Sequence, residues 1–520
     1  MTACQHASPG TDSAGKEFFW GVATSAYQSE GGYNGPNQPQ TNWARAEKEQ
    51  EVAALGKAAE FWVRYPEDFA LCRKMGLTAF RLGIEWSRVQ PSVSTAATEP
   101  PPMDNAALDH YADMLIECRR NGLEPIVTLH HFVHPAWLGG DPWLKPDTVE
   151  LFTRYVESSV RHVNRVMTGK GYPPVRYYIT INEPNMLLFN TYLGYQFPSQ
   201  STRGFASAIT ACCQLLCAHV NAYNSIHDIY QSEAWGRPMV SINNYCSDLY
   251  WADKLLLDLL ALRENKVPLH TINEHVREKR QAFEAALALA DIPLRKNLSY
   301  WFGTLCKKLT DRFCLACFDG RRFQAFTDSL AQSQREKVLD YLALDYYDPF
   351  SAHLFRPPVI WDHEFKNKSI PSWLMNTVSS KWWDWRVLPQ GLHFFCREYA
   401  KEFPGRAVLI AENGMALRRK TDNKTSHRRD RITRSQFLEL HFHEVLKMLR
   451  EGMPMIGYLH WSLFDNYEWG TYTPRFGLYS LDYQQGTDRI AIDHLGDCPT
   501  ESYAALIKFF HAETRQANNP

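Results

Sequence analysis

Neither sign of charge dominates this chain of 520 residues, in which 56 Lys and Arg face 57 Asp and Glu for a formal net charge of −1. Nucleic-acid binders and proteins held on membranes by a basic surface carry an excess or a block of positive charge, so the overall balance argues against both. Long hydrophobic runs are also missing. No stretch approaches the ~18 uninterrupted apolar residues of a transmembrane helix. The first 16 residues show no basic start followed by an apolar core, so no secretory signal is read there, and the expectation is a disordered tail over 1–16 on a soluble, cytoplasmic protein. Cysteine is sparse and scattered, 12 residues from Cys4 to Cys498, without the dense spacing of a disulfide-stapled domain, so reduced thiols are expected. Cys314 and Cys317 form an isolated CxxC. A zinc site needs a second pair, which Cys306 does not supply, so these are read as small buried apolar side chains. The sequons at Asn297, Asn367 and Asn423 say nothing without a secretory route. Pro/Ser/Gly-rich linkers and low-complexity blocks are absent too. What is abundant is aromatic: Phe, Trp and Tyr make up 13%, with 16 Trp.

A short β-prone run followed by a longer stretch of helical apolar spacing recurs along the chain. The runs are FFWGVAT from Phe18, AFRLGIEW from Ala79, EPIVTLHH from Glu124, RYYITINE from Arg176, PMVSINNY from Pro238, DYLALDYY from Asp340, AVLIAEN from Ala407 and MIGYLHW from Met455. Eight such units predict an α/β fold, a (β/α)8 TIM barrel. A length that suggests three domains at ~150 residues each is then read as one catalytic domain over 17–520 with long strand-to-helix connections. The longest connection, from Asn244 to Leu339, is read as an inserted excursion that walls the barrel mouth.

Each run turns polar or aromatic at its carboxyl end: His130 and His131, Asn182 and Glu183, Asn243 and Asn244, Asp345 to Tyr347, Glu412 and Asn413, Trp461. Active sites of such barrels lie at that end, so Glu183 and Glu412 are expected over one shared mouth. Paired carboxylates there suit glycosidic bond cleavage, where one holds a proton for the leaving oxygen and the other stays ionised. Arg81 on the second run is placed to keep Glu412 ionised, and Asn182 to bond a sugar hydroxyl. His130, His131 and His134 lie in one segment without a second ligand set, so neither a metal nor a cofactor is expected.

These residues amount to a resemblance. YITINEPN from Tyr178 and LIAENG from Leu409 resemble the two catalytic motifs of family 1 glycoside hydrolases, the β-glucosidase and β-galactosidase group. FFWGVATSAYQSEGG from Phe18 is similar to the family's opening strand, FRLGIEWSRVQP from Phe80 to its second, and WSLFDNYEWGTYTPRFGLYSLDY from Trp461 to its final sugar-binding stretch. The resemblance runs in order from about Phe18 to Phe510. It implies a retaining double displacement with Glu183 as acid/base, Glu412 as nucleophile and Tyr347 bonded to that nucleophile. It further implies Gln28, His131, Asn182, Glu468 and Trp469 around the sugar hydroxyls, Trp461 beneath the ring and Trp385 along the aglycone cleft. Trp382 and Trp383 either extend that cleft or pack internally. Family members that take 6-phosphorylated sugars lack the carboxylate of Glu468, so the implied substrate is an unphosphorylated β-glucoside, β-galactoside or β-fucoside.

Three positions depart from the family pattern. Phe132 stands in place of a Trp, Asp345 in place of an Asn, and the stretch from Glu468 to Arg475 is one residue short, so the choice among gluco, galacto and fuco sugars stays open. An ionised Asp345 would raise the pKa of Glu183, whereas a protonated one would donate like Asn. The HHF wording is also similar to a branch that transfers galactosyl groups, so the alternative function is a transglycosidase using the same glycosyl-enzyme. A catalytically silent carbohydrate-binding relative is a further alternative that the presence of both carboxylates opposes. The expected partner is a small-molecule glycoside, and sequence alone leaves the oligomeric state open.

Overall fold

In the computed structural model, residues 18–92, 100–194, 197–199, 203–350, 382–420 and 423–517 are described; the tail expected over 1–16 lies outside them. The eight runs become β1 (Phe19–Ala23), β2 (Ala79–Gly83), β3 (Glu124–Thr128), β4 (Tyr177–Ile179), β5 (Met239–Ser241) with β6 (Asn243–Tyr245), β7 (Tyr341–Tyr346), β8 (Ala407–Asn413) and β9 (Met455–Trp461). The fifth run is divided at Ile242, which gives nine segments in the order β5-β4-β3-β2-β1-β9-β8-β7-β6, with every pairing parallel. The divided run closes the barrel. Asn243 N donates to Ile181 O (3.1 Å) on the β4 side, and Asp340 N donates to Val240 O (2.9 Å) on the β7 side. This is the expected TIM barrel. Its strands are buried along nearly their whole length, as parallel strands covered on both faces must be.

The outer layer is α1 (Phe61–Met75), α2 (Asn105–Arg120), α3 (Asp147–Gly169), α4 (Phe205–Ser232), α5 (Gln324–Gln332), α6 (Pro389–Glu402), α7 (Arg434–Arg450) and α8 (Pro499–Ala517). Local sequence starts several of these. Asp104 accepts from Ala107 N (3.1 Å) to cap α2, and Thr433 with Gln436 forms a capping box on α7, each satisfying amides that a helix start leaves unpaired. The α4 helix is long and apolar enough, by length and composition, to cross a membrane, which a search for uninterrupted apolar runs does not reveal. It lies mostly buried, between α3 and α5, and its apolar character on nearly every side suits a helix covered by neighbours.

The excursion between β6 and β7 contains the helices Lys254–Leu260, Ile272–Ala288 and Leu298–Cys317. It leaves from the carboxyl end of β6 and therefore flanks the mouth, as expected. Cys314 is buried and Cys317 half-buried at the end of its last helix. A second, three-stranded sheet of Leu417–Arg419, Thr425–Ser426 and Pro474–Arg475 ties the shortened stretch after Glu468 to the segment following β8.

Candidate active site

The parallel register brings the polar strand ends together. Asp345 lies opposite Glu412 across β7 and β8, and Ala23 at the end of β1 lies between Arg81 and Trp461. Arg81, Asn182, Glu183, Asp345 and Glu412 are all buried. One carboxylate oxygen from each of Glu183, Asp345 and Glu412 lies within 4.8 Å of the others. Arg81 is the cation of this cluster. Its Nη1 donates to Glu412 Oε1 (2.6 Å), its Nη2 to Asn182 Oδ1 and its Nε to Thr128 Oγ1 (2.8 Å). Tyr347 donates from its hydroxyl to Glu412 Oε2 (2.8 Å), so each oxygen of Glu412 has a donor.

Three carboxyls this close cannot all ionise. Burial pushes Glu183 well above the usual carboxylate range, and the charge of Glu412 adds to the rise. Asp345 is raised well above its range by burial, then by Glu412 and Glu183. Burial raises Glu412 as well, outweighing the pull of Arg81 and Tyr347 in the other direction. The expectation that Arg81 lowers Glu412 is therefore met in sign but exceeded by desolvation. Glu412, with a guanidinium and a phenol on its two oxygens, is the member best supported as an anion.

Backbone strain marks the same place. Glu183 has φ 35° and ψ 63° at the start of the short helix Pro184–Leu188, a left-handed conformation that a side chain with a Cβ adopts only when its surroundings impose it. Gly414, just past Glu412, meets the opposite constraint of space, since a Cβ there would sit 2.1 Å from the carbonyl oxygen of Trp461.

The residues expected around the sugar form one connected set. Asn182 Oδ1 accepts from Arg81 and from Asn243 Nδ2 (2.7 Å), so its Nδ2 is the group that donates to His131 Nε2 (3.3 Å). His131 is then the Nδ1-protonated neutral tautomer. Burial, with Arg81 and His130 nearby, lowers its pKa well below the usual value. Its ring stacks on Trp461 and on Trp469, each with centroids 5.7 Å apart and planes 15° apart. Glu468 accepts from Trp461 Nε1 (3.1 Å) and from Gln28 Nε2 (3.2 Å), and burial pushes its carboxyl up to about 8.

Trp385 stands 5.5 Å from Tyr347, with Trp382 a further 6.2 Å along. Trp383 is buried beneath Arg418, so of the two uncertain tryptophans one packs internally and the other extends the aromatic edge. Phe132 packs edge-on against Trp469 at 4.9 Å, filling the indole's place with apolar contact. His130 and His134 are buried and neutral, lowered to about 3 and about 4 mainly by desolvation. Sequence reasoning assigned no role to Thr128, Asn243 or Asn466. Asn243 orients both Asn182 and Asp345 (2.6 Å), and its position at a strand end was the available signal. Asn466 accepts from Gln28 (3.3 Å) and donates to Ser462 Oγ (3.0 Å).

A (β/α)8 barrel with buried carboxylates clustered beside aromatic rings at the carboxyl ends of its strands is the arrangement of a glycosidase-type enzyme. The description "Glycosyl hydrolase family 1" matches residues 11–255 and 272–493, and the chain belongs to that family, glycoside hydrolases acting on β-glycosidic bonds. A 6-phospho-beta-galactosidase 1 of Streptococcus pneumoniae is 26% identical over 489 residues, covering 90% of this chain and 94% of the relative. A 6-phospho-beta-galactosidase of Clostridium acetobutylicum is 25% identical over 486 residues, covering 90% and 93%. The beta-glucosidase from Thermotoga maritima in complex with glucoimidazole has the same fold, with a TM-score of 0.65 and 20% identity over 94% of this chain and 97% of that one.

Proposed function

We propose that the protein removes an unphosphorylated non-reducing terminal sugar from a β-glycoside by double displacement, with Glu412 as nucleophile and Glu183 as acid/base. The observation that carries this is the approach of their carboxylate oxygens within 4.8 Å, which suits the ~5–5.5 Å pairing of retaining enzymes and leaves no room for the water of an inverting pair at ~6.5–9.5 Å. A Glu412 oxygen attacks the anomeric carbon as the glycosidic C–O bond breaks, and the Glu183 proton goes to the leaving oxygen. Water then attacks the same carbon, gives its proton to Glu183 and releases Glu412. Arg81 and Tyr347 hold the nucleophile in place and in its charged form.

The relatives named for 6-phosphorylated substrates raise the question of a phosphate. The arrangement here opposes one. Arg475, the cation of the stretch that follows Glu468, is buried and committed to Asp465 (3.3 Å), to the Leu481 carbonyl (2.9 Å) and to Asn423 (3.0 Å). Among the described residues bonded to Glu468 or in the stretch from Glu468 to Arg475, none offers an uncommitted cation, so a sugar phosphate would set an anion beside that carboxyl without compensation. Eleven described cysteines, all free thiols, support the reading of a reducing, cytoplasmic compartment.

Two assays test this. Glu412→Gly abolishes cleavage of aryl β-glycosides and azide restores part of it, whereas undiminished activity in that variant refutes the nucleophile. In a panel of p-nitrophenyl β-glucoside, galactoside and fucoside, each beside its 6-phosphate, kcat/KM for the phosphates is at least about a hundredfold lower, the cost of an uncompensated anion. Preference for a phosphate overturns the substrate class.

A further inference from the structure

The excursion helix Leu298–Cys317 is amphipathic in an unusual sense. Its inner face is polar and tied to the mouth. Asp311 accepts from Trp251 Nε1 (2.8 Å) and from Arg280 Nη1 (2.8 Å), and Lys307 lies 3.4 Å from Glu284 and 3.7 Å from Asp248. Its outer face is apolar. Leu298, Trp301, Leu305, Leu309 and Phe313 are 87%, 57%, 53%, 56% and 54% exposed, and their spacing of three and four residues puts them on one stripe. Exposed large apolar side chains are ordinarily scattered singly, and a contiguous patch marks a contact surface.

The charges beside the stripe indicate what it contacts. Residues 289–317 hold five basic side chains against two acidic ones, a local excess inside a chain of net charge −1. Lys308 and Arg312 flank the stripe on the side of Trp301, and Arg295 and Lys296 precede its start. All four are exposed. The helix's own acid, Asp311, is turned inward to Trp251 and Arg280. An apolar face bearing Trp and Leu and bordered by Lys and Arg suits the boundary between acyl chains and anionic headgroups. A second copy of this chain fits less well. An antiparallel two-fold contact through the stripe brings Lys308 and Arg312 of both copies to the same side, with no acid on the stripe to meet them.

We propose that the outer face of Leu298–Cys317 docks the enzyme on an anionic lipid bilayer. The helix leans on the Asp248 loop that follows β6, so docking holds the barrel mouth beside the bilayer surface. The overall charge balance conceals this because the excess is confined to one element.

The test is co-sedimentation with vesicles of equal parts phosphatidylcholine and phosphatidylglycerol, beside vesicles of phosphatidylcholine alone. The full chain partitions onto the anionic vesicles and much less onto the neutral ones. Leu305→Glu with Leu309→Glu weakens partitioning at least about a hundredfold, from the loss of two buried leucines. Lys308→Gln with Arg312→Gln weakens it about thirtyfold on anionic vesicles only. Both double variants keep the parent's thermal unfolding midpoint, since all four side chains are exposed. Failure of the parent to bind, or equal binding by the leucine double variant, overturns the proposal. A dimer of the parent in light scattering that dissociates in the leucine double variant also overturns it, in favour of self-association.

Discussion

Replacing Asp345 by Asn tests the charge logic of the site through one atom pair. Asp345 and Glu183 present carboxylate oxygens within 4.8 Å of each other and of Glu412. Glu412 is favoured as the anion by Arg81 at 2.6 Å and Tyr347 at 2.8 Å, so the other two compete for a proton in a buried site. Two like charges at 4.8 Å and an effective dielectric constant of ~20 repel by about 3 to 4 kcal/mol. The donor Asn243 Nδ2 on Asp345 Oδ2 (2.6 Å) offsets part of that charge. The hydrogen bond from Asp345 also lowers Glu183, so the remaining displacement falls on the group that loses its proton last. Its sign follows from the charge removed. An Asn cannot become anionic, and its amide can donate to an ionised Glu183, so Glu183 releases its proton at lower pH. The measurement is kcat/KM against pH for p-nitrophenyl and 2,4-dinitrophenyl β-glycosides. With the first, whose departure needs an acid, the basic limb in Asp345→Asn moves to lower pH while the rate at the acid side of the profile is kept. With the second, whose departure needs little protonation, the basic limb is weak in both proteins. A basic limb that stays in place or moves up refutes the reasoning, because Asp345 then exerts no charge on Glu183.

Tyr347→Phe removes one of the two donors to Glu412 and lowers kcat/KM about ten- to a hundredfold, the range for a hydrogen bond to a charged group, with little change in thermal midpoint. Arg81→Gln leaves Glu412 buried without its cation, so activity falls by at least about a thousandfold and the protein loses about 3–5 kcal/mol of stability, read by urea unfolding. Gly414→Ala drives a methyl toward the Trp461 carbonyl at 2.1 Å, and a cost of about 1–3 kcal/mol appears as a lower midpoint together with displaced Glu412 and reduced turnover. Trp385→Ala raises KM for aryl glycosides and leaves kcat nearly unchanged, if the indole contributes binding equally to ground and transition states.

The eight β-prone runs were legible because strands buried on both faces read as short apolar stretches. Their polar carboxyl ends were legible because apolar packing stops where the barrel opens. What escaped was whatever depends on side chains converging from distant strands. Asn243 reads in sequence only as one of several polar strand ends, yet it spans Asn182 and Asp345 because β6 lies between β4 and β7. Thr128 carries Arg81 Nε for the same reason. Trp382 and Trp383 are neighbours of identical type, and only the cation over one ring and the solvent beside the other separate their roles. The α4 helix shows the reverse limit, since its composition alone matches a membrane span while its neighbours bury it.

By itself the sequence determined the fold class and set the carboxylate pair and the aromatic residues at the strand ends, because periodicity and residue type are local properties written in order along the chain. Tertiary structure alone decided how burial shifts the carboxyls and which surface is left uncovered. Burial outweighed Arg81 at Glu412, and the apolar stripe of Leu298–Cys317 turned outward. Both depend on distances and solvent access, which exist only once separate strands and helices have been brought together.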